Sequence, residues 1–353
     1  MSAARSGPRG PGLLIKDLGG LALWYPGQAI VARLPRGVLP PLAALGGDLK
    51  RLLKRDLPAW RAELRALFGE RPLPAPEDEI LKDALRGAFW NDVEVLRYPD
   101  LNPSTVHETC VVEGREHLDA ALAAGKGAIV LIGHFGANQM IMPALGHLGY
   151  PMSQLSAPPT VWAELLRDTR TTPLWERTLA RRWALEQRLP VRHINVFKFL
   201  RPAFEALREN QVLGLAFDGG GGAGWTTARL LNRTANLSNQ PIQLWRKTGA
   251  ALLPAVVVRP RGARRHRVIL EPPLTWTRAG DRGLEDRLNL EAYVERFSAW
   301  VARYPCHYLP FVMMRRAMRG QDVRPFFEGW APAEGGLSAE AAERRLRAAG
   351  ERT

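Results

Sequence analysis

Three short apolar runs constrain this fold most: GAIVLIG at 127–133, VLGLAFD at 212–218 and LLPAVVVR at 252–259. Each is uniformly apolar rather than alternating. That is the pattern of a strand buried on both faces, as in parallel sheets. PMSQLS at 151–156, RLPVRHI at 188–194 and HRVILE at 266–271 read as further strands. Between them lie helical stretches. EGREHLDAALAAG (113–125) is amphipathic and closes on Gly125, and MIMPALGHLG follows the first buried run. Residues 160–210 are largely helical and rich in Arg. SNQPIQLWRKTGA has Ser238 or Asn239 as a cap, Pro241 just inside and Gly249 as a stop. Strands alternating with helices predict an α/β fold with a mixed, mostly parallel central sheet flanked by helices.

The chain of 353 residues is 46% hydrophobic and 24% charged, a globular composition with ample length for a core. Two cysteines, Cys110 and Cys306, cannot make a disulfide framework or a four-cysteine zinc site. They read as small buried hydrophobes, with a single bridge the other option. His107, His117, His147, His193, His266 and His307 show no metal-ligand spacing, so no metal is expected. No run of 18 uncharged apolar residues predicts a transmembrane helix. The first residues lack the apolar core of a secretory signal, which points to the cytoplasm or a membrane surface facing it.

The N-terminal region, 1–80, has a helical and basic character. Residues 11–46 are apolar but broken by Gly and Pro. Two readings fit them: a buried helical pair, or an interfacial anchor with Trp24 and Tyr25 at headgroup depth and Arg33 and Arg36 on phosphates. Residues 48–69 form one amphipathic helix with a basic face, and LPAPEDE at 73–79 reads as a linker. Residues 331–353 form a charged helical tail.

Net charge is +14, and only seven of the 49 basic residues are lysines. Arg favours forked contacts with phosphate and carboxylate, so the expected partners are anionic. The charge concentrates in residues 219–270, which hold nine basic residues, among them Arg229 and Arg233, and no acid. This stretch predicts an anion site. Nucleic acid is not the expected ligand, because no helix–turn–helix, zinc finger or aromatic RNA-binding strand accompanies the charge.

Two loops carry the chemistry. His134 follows the first buried strand between Gly133 and Gly136, at the edge where open α/β sheets bind ligands. Asp218 ends the second buried strand on the same edge, where it either orients an active-site group or caps a turn. Gly219, Gly221 and Gly224 fit a dinucleotide fingerprint by number only. Neither the helix start nor the later acid is present, and no P-loop exists.

EGREHLDAALAAGKGAIVLIGHFGANQ (113–139) resembles the lipid A secondary acyltransferases, the lauroyl/myristoyl branch of the lysophospholipid acyltransferase superfamily. ALRENQVLGLAFD, LLNRTANLSNQPIQLWRKTGA and FSAWVARYPCHYLPFVMMRR are similar to its later blocks, so the resemblance covers about 110–316. It implies an acyltransferase domain over 81–330. Such a domain would move a fatty acyl group from an acyl carrier protein or coenzyme A thioester to a hydroxyl, or an amine, of a lipid or other acceptor. No bound cofactor is implied. The setting implied is peripheral, on the anionic cytoplasmic face of a bacterial inner membrane.

The family signature is His-x-x-x-x-Asp/Glu, with the His as base and the carboxylate orienting it. His134 matches. Gln139 stands where the carboxylate belongs, and an amide can orient an imidazole but cannot balance its charge. Gly136 and Asn138 fall in the substrate-binding part of the motif, and Arg182 matches a family arginine. Arg229 and Arg233 would hold donor or acceptor phosphates. Leu230-Leu231-Asn232 replaces the family's Phe-Phe-Gly, and Tyr308 stands near its closing Trp; together these imply an acceptor other than lipid A. The loss at Gln139 leaves a second reading open: a non-catalytic lipid- or carrier-binding protein that keeps the fold.

Overall fold

The computed structural model describes residues 11–156, 158–159, 172–196, 200–219, 224–317 and 325–330. The proposed tail at 331–353, Gly221 and part of the Arg-rich stretch lie outside the described residues.

A seven-stranded sheet has the order β1-β9-β8-β2-β5-β3-β4. Its strands are β1 (Cys110–Glu113), β2 (Ala128–Ile132), β3 (Met152–Ser156), β4 (Arg192–Asn195), β5 (Val212–Ala216), β8 (Ala251–Val258) and β9 (His266–Leu270). All neighbours are parallel except β8 and β9, which form an antiparallel pair. The sheet is therefore mixed and mostly parallel, as the apolar runs require. A separate hairpin pairs β6 (Trp225–Leu230) with β7 (Arg233–Ser238). β1 is a four-residue edge strand that carries no apolar run, so nothing in the pattern announces it.

The helices named below are α1 (Pro11–Ala22), α2 (Gln28–Arg33), α3 (Leu39–Leu53), α4 (Leu57–Phe68), α5 (Glu77–Val95), α6 (Val106–Thr109), α7 (Arg115–Ala123), α8 (Ile141–His147) and α9 (Pro173–Glu186). They continue with α10 (Arg201–Arg208), α11 (Gln240–Thr248), α12 (Arg282–Arg303) and α13 (Pro305–Ala317). β2 feeds two cores. Ile129 and Leu131 join Trp60, Leu64, Phe217, Phe297 and Phe311 on one face of the sheet. Ala128, Val130 and Ile132 join Trp24, Val31, Leu39 and Leu145 on the other. The N-terminal helices thus contribute side chains to both layers.

Several sequence expectations shift in detail. The helix expected over 48–69 is two helices, because Pro58 fits only a first helical turn and the chain breaks before it. The linker at 73–79 ends early: Glu77, Asp78 and Glu79 form the first turn of α5, where acids oppose the helix dipole favourably. β4 falls on the RLPVRHI run that reads as a strand, and starts four residues later, at Arg192, between two helices of the 160–210 stretch. Gly249 stops α11 as expected, with φ of 64° and its N–H bonded to the Trp245 carbonyl. Both cysteines are free.

Candidate active site

Parallel register builds the site. Ile132 of β2 lies beside Ala216 of β5, and the ladder continues as Phe217 N–H donates to the Ile132 carbonyl at 3.0 Å. Two residues further along each strand stand His134 and Asp218. Register alone therefore sets them side by side at the carboxyl edge of the sheet.

The contact is close. His134 Nδ1 and Asp218 Oδ1 are 2.6 Å apart, and the His134 main-chain N–H donates to Asp218 Oδ2 at 2.9 Å. A carboxylate only accepts, so Nδ1 carries the hydrogen and Nε2 the lone pair. The Asp218 side chain is fully buried, whereas the His134 side chain is 37% exposed. One ring edge is fixed in the protein, and the ring itself remains reachable.

Glycines make the turn possible. A Cβ on Gly133 would lie 2.5 Å from the Phe297 ring. Gly136 has φ of 58°, and a Cβ there would lie 2.4 Å from the Val257 carbonyl. Gly136 N–H donates to the His307 carbonyl at 2.9 Å, and Asn91 Nδ2 donates to the Gly136 carbonyl at 2.8 Å. Gly136 therefore shapes the loop. Asn138 opens the 3₁₀ turn Asn138–Met140, partly exposed.

That turn also directs Gln139 away from the imidazole. Its Nε2 donates to Glu186 at 3.1 Å, and its Oε1 accepts from Arg182 at 3.0 Å. The expectation that Gln139 orients His134 is corrected: Asp218 holds the ring. Arg182 also meets Glu186 at 3.2 Å and Asp92 at 3.4 Å, and its guanidinium lies over the Trp24 ring. Burial works against its charge, but the two carboxylates outweigh burial and raise its pKa.

Arg229 and Arg233 lie apart from the pair. The hairpin leaves the Asp218 loop at Trp225 and Ser238, and these arginines flank its far turn, where Leu230 pairs with Arg233. Arg233 bonds Glu63 at 2.7 Å and lies over the Phe327 and Trp330 rings. Exposed Arg229 bonds the Leu231 carbonyl and Asn232. Leu230-Leu231-Asn232 form that turn, and Asn232 N–H donates to the Leu67 carbonyl at 3.0 Å. The triplet is a packing contact with α4.

The acid-free stretch finds its acids elsewhere. Arg246 pairs with Asp286, Arg261 with Glu79 and Asp83, and Arg267 with Glu113. An anion site spread along 229–267 is therefore corrected to a set of internal ion pairs for these residues.

Sequence reasoning missed Phe311 and Arg315 of α13, and the place of Tyr308 beside Asp218. Tyr308 OH donates to Asp218 Oδ2 at 3.0 Å. Phe311 stacks on the His134 ring, with centroids 4.6 Å apart and planes 3° from parallel. Arg315 donates to the Asp218 carbonyl at 2.6 Å. Their i, i+3, i+7 spacing marks one helix face and was the available signal.

Among solved structures, the chain resembles the 1-acyl-sn-glycerophosphate (LPA) acyltransferase PlsC from Thermotoga maritima, at 14% identity and a TM-score of 0.32, over 76% of this chain and 97% of that one. No curated protein sequence matches. The family described as bacterial lipid A biosynthesis acyltransferase matches residues 17–316, a span that runs from α1 through α13 and includes His134, Asp218 and the helix beneath them. With that much of the chain matched, this protein belongs to the bacterial lipid A biosynthesis acyltransferase family and is an acyltransferase.

Proposed function

We propose that this acyltransferase transfers a fatty acyl group from an acyl carrier protein or coenzyme A thioester to a hydroxyl of a lipid acceptor, with His134 as general base and Asp218 as its orienting carboxylate. The observation that carries this reading is the 2.6 Å contact between His134 Nδ1 and the buried Asp218 carboxylate. Nε2 takes the hydroxyl proton as the oxygen attacks the thioester carbonyl. The C–S bond then breaks, and the departing thiolate collects that proton from the imidazolium. Asp218 stabilises the imidazolium while it lasts. The reading of a fold kept for binding alone rested on the missing carboxylate at Gln139, and Asp218 removes that reason.

The same proposal sets the enzyme on the cytoplasmic, anionic face of the inner membrane, bound peripherally. No described helix is long and apolar enough to cross a membrane. Ile15, Leu45, Leu49, Leu52 and Leu53 are all more than half exposed, on α1 and α3. Lys50, Arg51 and Lys54 accompany the α3 leucines. Apolar side chains beside cations fit the boundary between acyl chains and anionic headgroups.

The test is transfer of labelled acyl groups from each thioester into an inner-membrane lipid extract, with products read by mass spectrometry. Wild type forms an acylated lipid. His134→Ala loses at least a thousandfold while its thermal midpoint stays within a few degrees. An active His134→Ala protein removes the general-base assignment.

A further inference from the structure

We infer that the face of α13 formed by Tyr308, Phe311 and Arg315 is a positioning element that fixes the Asp218–His134 hydrogen bond; this rests on the reading of His134 as base. The three residues act on three different parts of the pair. Tyr308 donates to the carboxylate oxygen that Nδ1 does not use. Phe311 supports the flat face of the imidazole. Arg315 holds the Asp218 main chain through its carbonyl. Tyr308 and Arg315 are essentially buried, and Phe311 is nearly so.

Burial, then the Asp218 carboxylate, push the Tyr308 hydroxyl well above the usual phenol range. It therefore remains a donor throughout the working pH range. A donor on Oδ2 draws charge from the carboxylate and weakens its support of a positive imidazole. Among the described residues, the charged and titratable groups that face the pair are Tyr308 and Arg315 from α13 and Tyr293 from α12, whose hydroxyl donates to the Leu131 carbonyl.

The element has its own backing. Phe326 meets Phe311 edge-on at 5.7 Å, and the Arg315 guanidinium lies 4.9 Å from the Phe326 ring centre. Phe326 is fixed because Asn236 N–H donates to its carbonyl at 2.8 Å and Phe327 bridges Ala235 of β7. The segment 325–330 thus presses the α13 face against the catalytic pair.

The experiment is the pH dependence of kcat and kcat/KM for Tyr308→Phe in the full chain, with thermal midpoints in parallel. Removing the hydroxyl returns charge to the Asp218 carboxylate, which strengthens its support of a positive imidazole. The acid limb of kcat/KM moves up by about half to one pH unit, kcat falls about threefold at its plateau and KM stays within twofold. Phe311→Leu lowers kcat about tenfold at constant KM, and Phe311→Tyr restores most of it by keeping a flat ring. An unchanged acid limb in Tyr308→Phe overturns the inference if His134→Ala is inactive. Should Tyr308→Phe fail to fold, equal kcat in Phe311→Leu and wild type overturns it instead. An active His134→Ala enzyme overturns the base assignment on which it rests.

Discussion

Asp218→Asn keeps the side chain's size and one acceptor oxygen but removes the charge that balances the imidazolium. It also lets the amide present a donor to Nδ1, which favours the wrong tautomer. In serine-protease triads the same exchange costs about 10⁴ in rate. We expect a loss of 10³–10⁴ in kcat here, read by the same acyl-transfer assay, with the fold intact. A loss under tenfold would mean that Asp218 merely caps its turn. Gln139→Glu is the companion variant. It sets a carboxylate beside Glu186, where the amide now donates, while gaining charge on Arg182. It leaves the His134 contact untouched, so it does not raise activity. Spacing along the chain suggested otherwise because five residues look short. Gly136 turns the backbone and the 3₁₀ turn Asn138–Met140 redirects it, so nearness in sequence becomes separation across the sheet. Asp218 was the legible partner: two buried runs of equal length, each ending two residues before a polar side chain, meet in parallel register.

Charge patterns are less legible at the scale of elements. A run of nine cations without an acid suggests a binding face, but Glu63, Glu79, Asp83, Glu113 and Asp286 come from segments far along the chain. Arg233 shows the consequence. It and Glu63 are mostly buried, at 14% and 8% side-chain exposure, and Arg316 and Trp330 share the same carboxylate. Arg233→Ala should lower stability by about 2–3 kcal/mol, less than a fully orphaned buried charge because Arg316 remains. Chemical denaturation reads that loss, and donor KM is unchanged across a salt series. A KM that rises with salt in this variant would restore the phosphate-site reading. The α3 stripe behaves differently, since its leucines face outward at helical spacing with nothing described over them. Leu49→Glu with Leu52→Glu should weaken binding to anionic vesicles at least tenfold in a flotation assay, because each leucine entering the interface contributes about 1–2 kcal/mol. Undiminished flotation would assign membrane contact to another surface.

The strand–helix alternation made the layered fold legible at the scale of the whole molecule, whereas the packing of α13 beneath the sheet edge depends on contacts 90 and 97 residues back to Asp218 and further back still to His134. His307 ties these parts together. Arg259 N–H donates to its Nε2 at 3.0 Å, so the neutral ring carries hydrogen on Nδ1, beside Cys306 Sγ. Its main-chain carbonyl holds Gly136 of the His134 loop. Burial first, then His266 and Arg259, push this imidazole down to about 3. An unfolded His titrates near 6.5, so the unfolded chain binds the proton more readily. The contribution to stability is complete above about pH 6.5 and is lost as pH falls toward 3, at up to about 1.4 kcal/mol per pH unit. Burial lowers His147 and His193 as well, which adds to the same trend. Between pH 8 and pH 5 the unfolding free energy of the wild type should therefore drop by at least about 2 kcal/mol. His307→Gln keeps an acceptor for Arg259 N–H but cannot titrate, so its urea denaturation should show a shallower fall over that interval. Equal slopes in the two proteins would place the acid sensitivity in the remaining histidines and free the His134 loop from it.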